Sequence, residues 1–359
     1  KLLMENSKPI VGISCGDLNG IGLEVVIKTF QDNMMLDFCT PVLFSSSKVT
    51  SYHRKAIGVQ DFSFNIINSL EEINPKKANL MNIWNDNISI SLGTPSEDLG
   101  TRAIESIDAA CSALKEGKID VLVTAPINKN TIKLDGKEFN GHTGYLGEKL
   151  EGDPLMILYS ENLRVALATG HVPVKDIANS LSTELISSKI KALNDSLIKD
   201  FGISRPRIAV LGLNPHAGDG GLLGNEEEEI ITPAIQEASE NKMLVFGPYA
   251  ADGFFGSNQY NTFDAILAMY HDQGLAPFKA LTFESGVNYT AGLKYVRTSP
   301  DHGTGYSIAG KNEASPNSFR NAVFEAINLF SNRSEYAGLT KNILKAQVVE
   351  RQKFYKSRN

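Results

Sequence analysis

The 359-residue chain has few cysteines, no excess of positive charge and no long apolar run. Its three cysteines, Cys15, Cys39 and Cys111, are odd in number, far apart and include no CxxC pair. That argues against a disulfide framework or a cysteine zinc site and points to a reducing, cytoplasmic compartment. A formal charge of −6 offers no cationic surface to displace counterions from a nucleic acid, so no such partner is expected. No stretch of about 18 uninterrupted apolar residues occurs, which excludes a transmembrane helix, and no membrane partner is expected. The opening KLLMENSKPIVGIS carries no apolar run ahead of a small-residue cleavage site. Met4 reads as a start preceded by foreign residues, so Lys1–Leu3 are set aside from fold reasoning. Three motifs are also missing. The first glycine cluster runs G-x-x-x-G-x-G rather than G-x-G-x-x-G, and neither GxxxxGK[ST] nor GxSxG occurs. An ordinary Rossmann dehydrogenase, a P-loop NTPase and a serine hydrolase therefore lack support.

What is present is ordinary globular material, 42% apolar and 21% charged, enough for about two domains or one large α/β unit with a second lobe. Short β-branched runs alternate with amphipathic segments, the pattern of parallel strands joined by crossover helices. Pro9–Cys15 reads as a buried strand, followed by a glycine-rich turn and a helix over Leu23–Phe30. Ile104, Ile107, Cys111 and Leu114 share one helical face that Gly117 can close, and IDVLVTAP then reads as a strand. Further strands are expected at LRVALAT, RIAVLGLN, DAILAMY and around Tyr295–Arg297. Residues 46–96 have weak periodicity and read as an irregular, loop-bearing region. The acid run Glu226–Glu229 is expected to open a helix and offset its dipole. A helix is expected over Ser318–Phe330, and the tail KFYKSRN reads as frayed.

In α/β proteins, ligands are held by loops leaving the carboxyl ends of strands. Five of the six histidines stand in such loops: His142, His171, His216, His271 and His302; His53 lies in the irregular region and reads as a surface residue. His171, His216 and His271 each follow an apolar strand, and three imidazoles converging from separate elements can hold a metal. The alternative, that each bonds backbone at its strand end, stays open on spacing alone. His271, Lys279, Asn288 and Arg297 follow one another at intervals of eight or nine residues and could face one cleft. Lys and Arg there would suit phosphate or carboxylate, and Asn a hydroxyl or amide; three unrelated surface residues is the competing reading. The glycine clusters GDLNGIG, GHTG and AGDGGLLG fit close backbone approach and positive φ, including around a phosphate.

Nine stretches together resemble the 4-hydroxythreonine-4-phosphate dehydrogenase family of pyridoxal phosphate biosynthesis, over nearly the whole chain. They are GDLNGIGLE (16–24), VTAPINK (123–129), FNGHTG (139–144), ATGHVPV (168–174), LNPHAGDGG (213–221), GPYAADGFF (247–255), YHDQGLAPFK (270–279), VNYTAGL (287–293) and RTSPDHGTGY (297–306). The resemblance departs at Leu18-Asn19, where the family commonly has Pro-Ala, and at Gly144, where it commonly has Glu.

The resemblance implies an α/β fold of two lobes, similar to isocitrate and isopropylmalate dehydrogenases, with a non-Rossmann dinucleotide site and a cleft between the lobes. Residues 1–125 plus 285–359 would form one lobe, and 126–284 the second, which carries the dimer interface and the metal-binding histidines. It implies NAD or NADP as cofactor, with binding residues unassigned, and one divalent metal per site, Zn, Mg or Co, on His171, His216 and His271. One of these histidines would come across a homodimer interface, placing the active site between subunits. Substrate contacts implied by motif are His142, Thr143, Lys279, Asn288 and Arg297, while Lys279, Asp252 and Asp272 are the catalytic candidates. The implied reaction is oxidation of 4-phosphooxy-L-threonine at C3, with decarboxylation to 3-amino-2-oxopropyl phosphate. Other readings are a dehydrogenase of threonate or erythronate 4-phosphate, as in similar proteins, or a non-catalytic metal- or phosphate-binding relative. A few such relatives act on cyclic dihydrodiols.

Overall fold

The computed structural model describes residues 8–133, 139, 141–161, 163–282 and 284–342, so Lys1–Leu3, Asn140 of the FNGHTG stretch and the KFYKSRN tail lie outside the described residues. Twelve strands form one sheet: β1 (Ile10–Ser14), β2 (Thr40–Ser45), β3 (Asn65–Ile67), β4 (Asn79–Asn82), β5 (Val121–Thr124), β6 (Gly152–Ser160), β7 (Leu163–Leu167), β8 (Arg207–Leu211), β9 (Leu244–Tyr249), β10 (Ala265–Ala268), β11 (Val287–Leu293) and β12 (Arg297–Pro300). Their order is β3-β4-β2-β1-β5-β12-β11-β6-β7-β10-β8-β9. The expected parallel pairing holds at both ends of the sheet. In the middle it does not: β12, β11, β6 and β7 pair antiparallel in succession. Tight returns such as Ser160 to Leu163, rather than crossover helices, join strands there.

The short apolar runs become strands because helices cover both faces of the sheet. β2 and β5 are buried along their whole length, as central parallel strands require. Helix Glu97–Lys115 buries Leu99, Ala103, Ile107, Ala110 and Leu114 along one stripe, and the chain turns out of it at Gly117 with φ +68°, a left-handed conformation that costs glycine little. The helices over Gly22–Phe30 and Asn317–Thr340 are present, the second longer than its apolar pattern indicated.

Two expectations need correcting. Residues 46–96 are not simply irregular, for they contain helix Ser47–Ala56, the edge strand β3 and its neighbour β4. Their periodicity is weak because the elements are short and the two strands carry Asn65, Asn79 and Asn82, of which Asn79 is fully buried. His53 is not on the surface: it is 1% exposed, and its Nε2 donates to the Leu18 carbonyl at 2.8 Å. Burial lowers the imidazole pKa to about 4, so the ring is held neutral. The three cysteines are free and buried, and among the described residues no helix is long and apolar enough to cross a membrane.

Candidate active site

Three loops leave the carboxyl ends of β1, β5 and β12 and bind one another. Asp17 N donates to Pro126 O at 2.8 Å and Ile21 N to Thr304 O at 2.9 Å. Tyr306 Oη donates to Asp17 Oδ2 at 2.5 Å, and Asn128 Nδ2 donates to Tyr306 Oη at 3.0 Å. Burial first, and then the Asp17 bond, raise the Tyr306 phenol to about 12, so it remains a donor. Gly16 explains its own place in the motif: at φ +70°, a Cβ there would lie 2.4 Å from Pro126 O. The glycine-rich turn therefore packs loop on loop. The family departure at Asn19 is also structural, since its side chain donates to Thr94 O at 2.6 Å and accepts from Ser91 N at 2.9 Å. Gly144 lies on the exposed side of helix Gly141–Leu150.

Beside these loops lies a cavity of about 230 Å³, lined by Pro126, Ile127, His142, Lys279, Asn288, Arg297, Ser299, Pro300, Asp301, His302 and Gly303. It gathers four of the five residues expected to meet substrate. His142 comes from helix Gly141–Leu150, Lys279 from helix His271–Leu281, Asn288 from β11 and Arg297 from β12. Thr143, on the same helix as His142, is half-buried and outside the lining. A larger cavity of about 750 Å³ is lined by Asn19, Asp86, Ser91, Arg102 and Glu105 among others and contains none of the expected site residues.

The electrostatics of the smaller cavity are unusual. Arg297 is 0% exposed. Its Nε donates to Thr124 Oγ1 at 3.1 Å, its Nη1 to Thr290 Oγ1 at 2.9 Å and its Nη2 also to Thr124 Oγ1. Among the described residues no carboxylate pairs with it, and burial pulls the guanidinium pKa down to about 9. A guanidinium has five N–H groups, so two remain for a ligand. Lys279 Nζ is held by Asp301, at 2.7 Å from Oδ1 and 3.1 Å from the carbonyl. The His142 imidazole is held well below its usual range by burial, then by Arg297 and Lys129. His142 Nε2, Asn288 Oδ1 and His302 Nε2 are buried without a partner. Leaving such atoms unpaired costs about 1–3 kcal/mol each, so three around one cavity mark a place that a ligand or solvent completes.

Of the three histidines expected to bind metal, the chain brings two together. His171 follows β7 and His271 opens helix His271–Leu281; their rings lie 5.3 Å apart between centroids. Burial first, then Lys129 and His271, lower the His171 pKa and favour the neutral ring a metal needs. His271 Nδ1 meets Asp272 Oδ1 at 2.7 Å, fixing the ring's orientation. His216 lies in a separate loop after β8, and no group of three His, Cys, Asp or Glu among the described residues could hold a metal ion. Its backbone is left-handed at φ 53°, as it is at Ala217 and Asp219, a run of strained non-glycine residues. Asp252 is exposed in the first turn of helix Ala251–Gly256.

Sequence reasoning missed four residues here. Glu227 does more than meet a helix dipole: it is buried, its Oε1 accepts from Leu213 N and Asn214 N, both at 2.7 Å, and its Oε2 accepts from Asn214 Nδ2 at 2.9 Å. It thereby fixes the strained His216 loop from the π-helical turn Glu227–Ile231, which precedes helix Thr232–Glu240. Lys129 acts on both His142 and His171, linking the cavity to the histidine pair. Asp301 and His302 complete the lining. Lys129, Asp301 and His302 stood inside motifs already noted, but nothing in spacing separates them from their neighbours.

Comparison with known proteins agrees with this architecture. Residues 37–326 match the family described as pyridoxal phosphate biosynthetic protein PdxA. A 4-hydroxythreonine-4-phosphate dehydrogenase of Bacteroides thetaiotaomicron is 51% identical over 350 residues, covering 97% of this chain and 96% of its own. Crystal structures of 4-hydroxythreonine-4-phosphate dehydrogenases from Burkholderia phymatum (35% identity, TM-score 0.74) and Klebsiella pneumoniae (31%, TM-score 0.78) cover 90% and 91% of this chain, and 99% of their own. The chain, a mixed α/β protein built on one large sheet, therefore belongs to the pyridoxal phosphate biosynthetic protein PdxA family.

Proposed function

We propose that the protein is an NAD- or NADP-dependent dehydrogenase that oxidises 4-phosphooxy-L-threonine at C3. The observation that carries this reading is Arg297, a fully buried cation without a counter-ion among the described residues, beside Lys279, His142 and Asn288 in a cavity sized for a phosphoryl group or carboxylate. Its unused N–H pair, the ammonium of Lys279 and the amide of Asn288 bind and orient the anionic end, and an unphosphorylated alcohol would leave the cation unpaired. NAD or NADP, when bound, would supply the acceptor for the C3 hydride, and with loss of the C3 hydroxyl proton the oxidation gives a ketone β to the carboxylate. The C1–C2 bond then breaks, carbon dioxide departs, the electron pair passes into the ketone, and a proton returns to C2 to give 3-amino-2-oxopropyl phosphate. Lys279, Asp252 and Asp272 are the candidates for moving these protons.

His171 and His271 fit two ligands of a divalent ion, Zn, Mg or Co, with His216 supplied from a second subunit. When bound, such an ion polarises the C3 oxygen and stabilises developing negative charge. A homodimer agrees with the apolar residues beside the histidine loops: Val174 is 83% exposed and Leu222 77%, unusual positions for such side chains unless another copy covers them. Residues 1–125 with 285–359, and 126–284, would be the two lobes, joined through the antiparallel middle of the sheet. The dinucleotide would lie along the interlocked loops after β1, β5 and β12, at strand carboxyl ends. Free, buried cysteines agree with a cytoplasmic setting.

The test is NADH formation with 4-phosphooxy-L-threonine and with threonate 4-phosphate, each with and without EDTA. Metal-dependent turnover of the amino acid supports the reading. Turnover of threonate 4-phosphate alone would keep the site and replace the substrate, and silence with both would overturn the proposal.

A further inference from the structure

His302 was not among the expected substrate contacts, yet it lines the cavity with Arg297, Lys279, His142 and Asn288. Its Nδ1 lies 3.0 Å from the Gly303 carbonyl. A carbonyl only accepts, so Nδ1 carries the hydrogen, and in the neutral ring Nε2 is a bare lone pair. That Nε2 is buried and has no partner. A phosphate monoester near neutral pH is largely a dianion, its second pKa being about 6, and presents only acceptor oxygens. Lone pair and dianion cannot pair unless a proton lies between them. We propose that His302 is a further contact to the phosphoryl group, and that binding takes up one proton, held between Nε2 and a phosphate oxygen.

The groups facing this imidazole fit that role. Burial lowers the imidazole pKa and favours the neutral ring, against the Gly303 hydrogen bond and the adjacent Asp301 carboxylate, which pull the other way, while the Lys279 ammonium adds a smaller push in the direction of burial. Asp301 is itself engaged by Lys279. Arg297 from β12 and the neutral His142 complete the titratable and charged groups of the lining. An arriving dianion reverses the balance by adding negative charge inside a cavity sheltered from water. The assignment rests on the cavity being a phosphate site. It makes His302 a specificity residue: a carboxylate, with a much lower pKa than a phosphate monoester, would share that proton far less readily.

The experiment is calorimetric titration of inorganic phosphate into the full chain at about pH 8, where the free imidazole and most of the free phosphate have lost the proton. Two buffers of different ionisation enthalpy give the proton count. Wild type should take up close to one proton per phosphate. His302→Gln should bind phosphate more weakly and take up almost none, while His142→Gln keeps the uptake. Binding without uptake, uptake surviving His302→Gln, or uptake lost only in His142→Gln would each overturn the role of His302. No phosphate binding by wild type would overturn the phosphate cavity as well, whereas proton-linked binding without NADH formation would sink the dehydrogenase alone. Should His302→Gln not fold, the imidazole ¹⁵N shifts of wild type decide: Nε2 must be unprotonated before phosphate and protonated after it.

Discussion

Replacing Arg297 by Met should separate ligand binding from stability if, as proposed, the guanidinium is buried for a ligand rather than for the fold. Met has comparable length, no charge and enough flexibility to fill the space. In the empty protein the change removes donors to Thr124 and Thr290, hydrogen bonds worth about 1 kcal/mol each. It also ends the cost of keeping an unpaired cation dry, and apolar replacement of buried charge is often neutral or favourable by about 1–4 kcal/mol. These effects oppose each other, so unfolding free energy should change by less than about 2 kcal/mol. Binding has no such compensation. Two charge-assisted hydrogen bonds to an anion contribute about 1.5–3 kcal/mol each, so affinity for the phosphorylated substrate should fall by roughly 10²–10⁴-fold. Affinity for NAD should stay nearly unchanged. Titration calorimetry and scanning calorimetry on the same preparation measure both quantities. A variant that loses several kcal/mol of stability yet binds substrate like wild type would refute the reasoning and make Arg297 a structural residue.

Other perturbations probe the remaining parts. His216→Asn tolerates the left-handed backbone while removing the imidazole, so the fold should persist and bound divalent metal should drop; unchanged metal stoichiometry would remove His216 from the ligand set. Glu227→Gln places an amide N–H₂ where Asn214 already donates, and loss of charge-assisted bonds to the loop should cost about 2–4 kcal/mol in denaturant unfolding. An unaltered midpoint would show that the loop holds itself. His53 sets an acid limit: its folded pKa of about 4 lies below the unfolded value near 6.5, so its contribution is complete above about 6.5 and is lost as pH falls towards 4. The slope should approach 1.4 kcal/mol per pH unit in that window, and His53→Gln, which can still donate to Leu18 O, should flatten it.

Much of the architecture was legible because it depends on local apolar periodicity. β1, β5, β7, β8 and β10 and the helices after β1 and before β5 follow from runs that must be buried whatever lies around them. The antiparallel middle of the sheet was not legible, since β6 and β11 find each other across more than a hundred residues and an apolar run carries no direction. Strands β3 and β4 escaped for a related reason, their short Asn-bearing runs being too brief to show a period.

At the site, the sequence by itself determined the chemistry on offer: imidazoles at strand ends, a lysine, an asparagine and an arginine at regular intervals, and glycines where backbones must approach. It could not determine which atoms would be left without partners. Arg297 is a buried cation bonded to threonine hydroxyls, with no carboxylate partner among the described residues, because β12 lies between β5 and β11. In sequence His53 read as a surface residue and His302 stood in a loop of the kind that holds ligands, and neither position told how the ring would be paired. One is satisfied by the Leu18 carbonyl 35 residues away, and the other keeps a lone pair in the cavity lining. Burial and pairing belong to the assembled neighbours of a residue rather than to the residue, so only the tertiary structure decided which histidine is paired within the fold and which keeps an unpartnered nitrogen in a cavity.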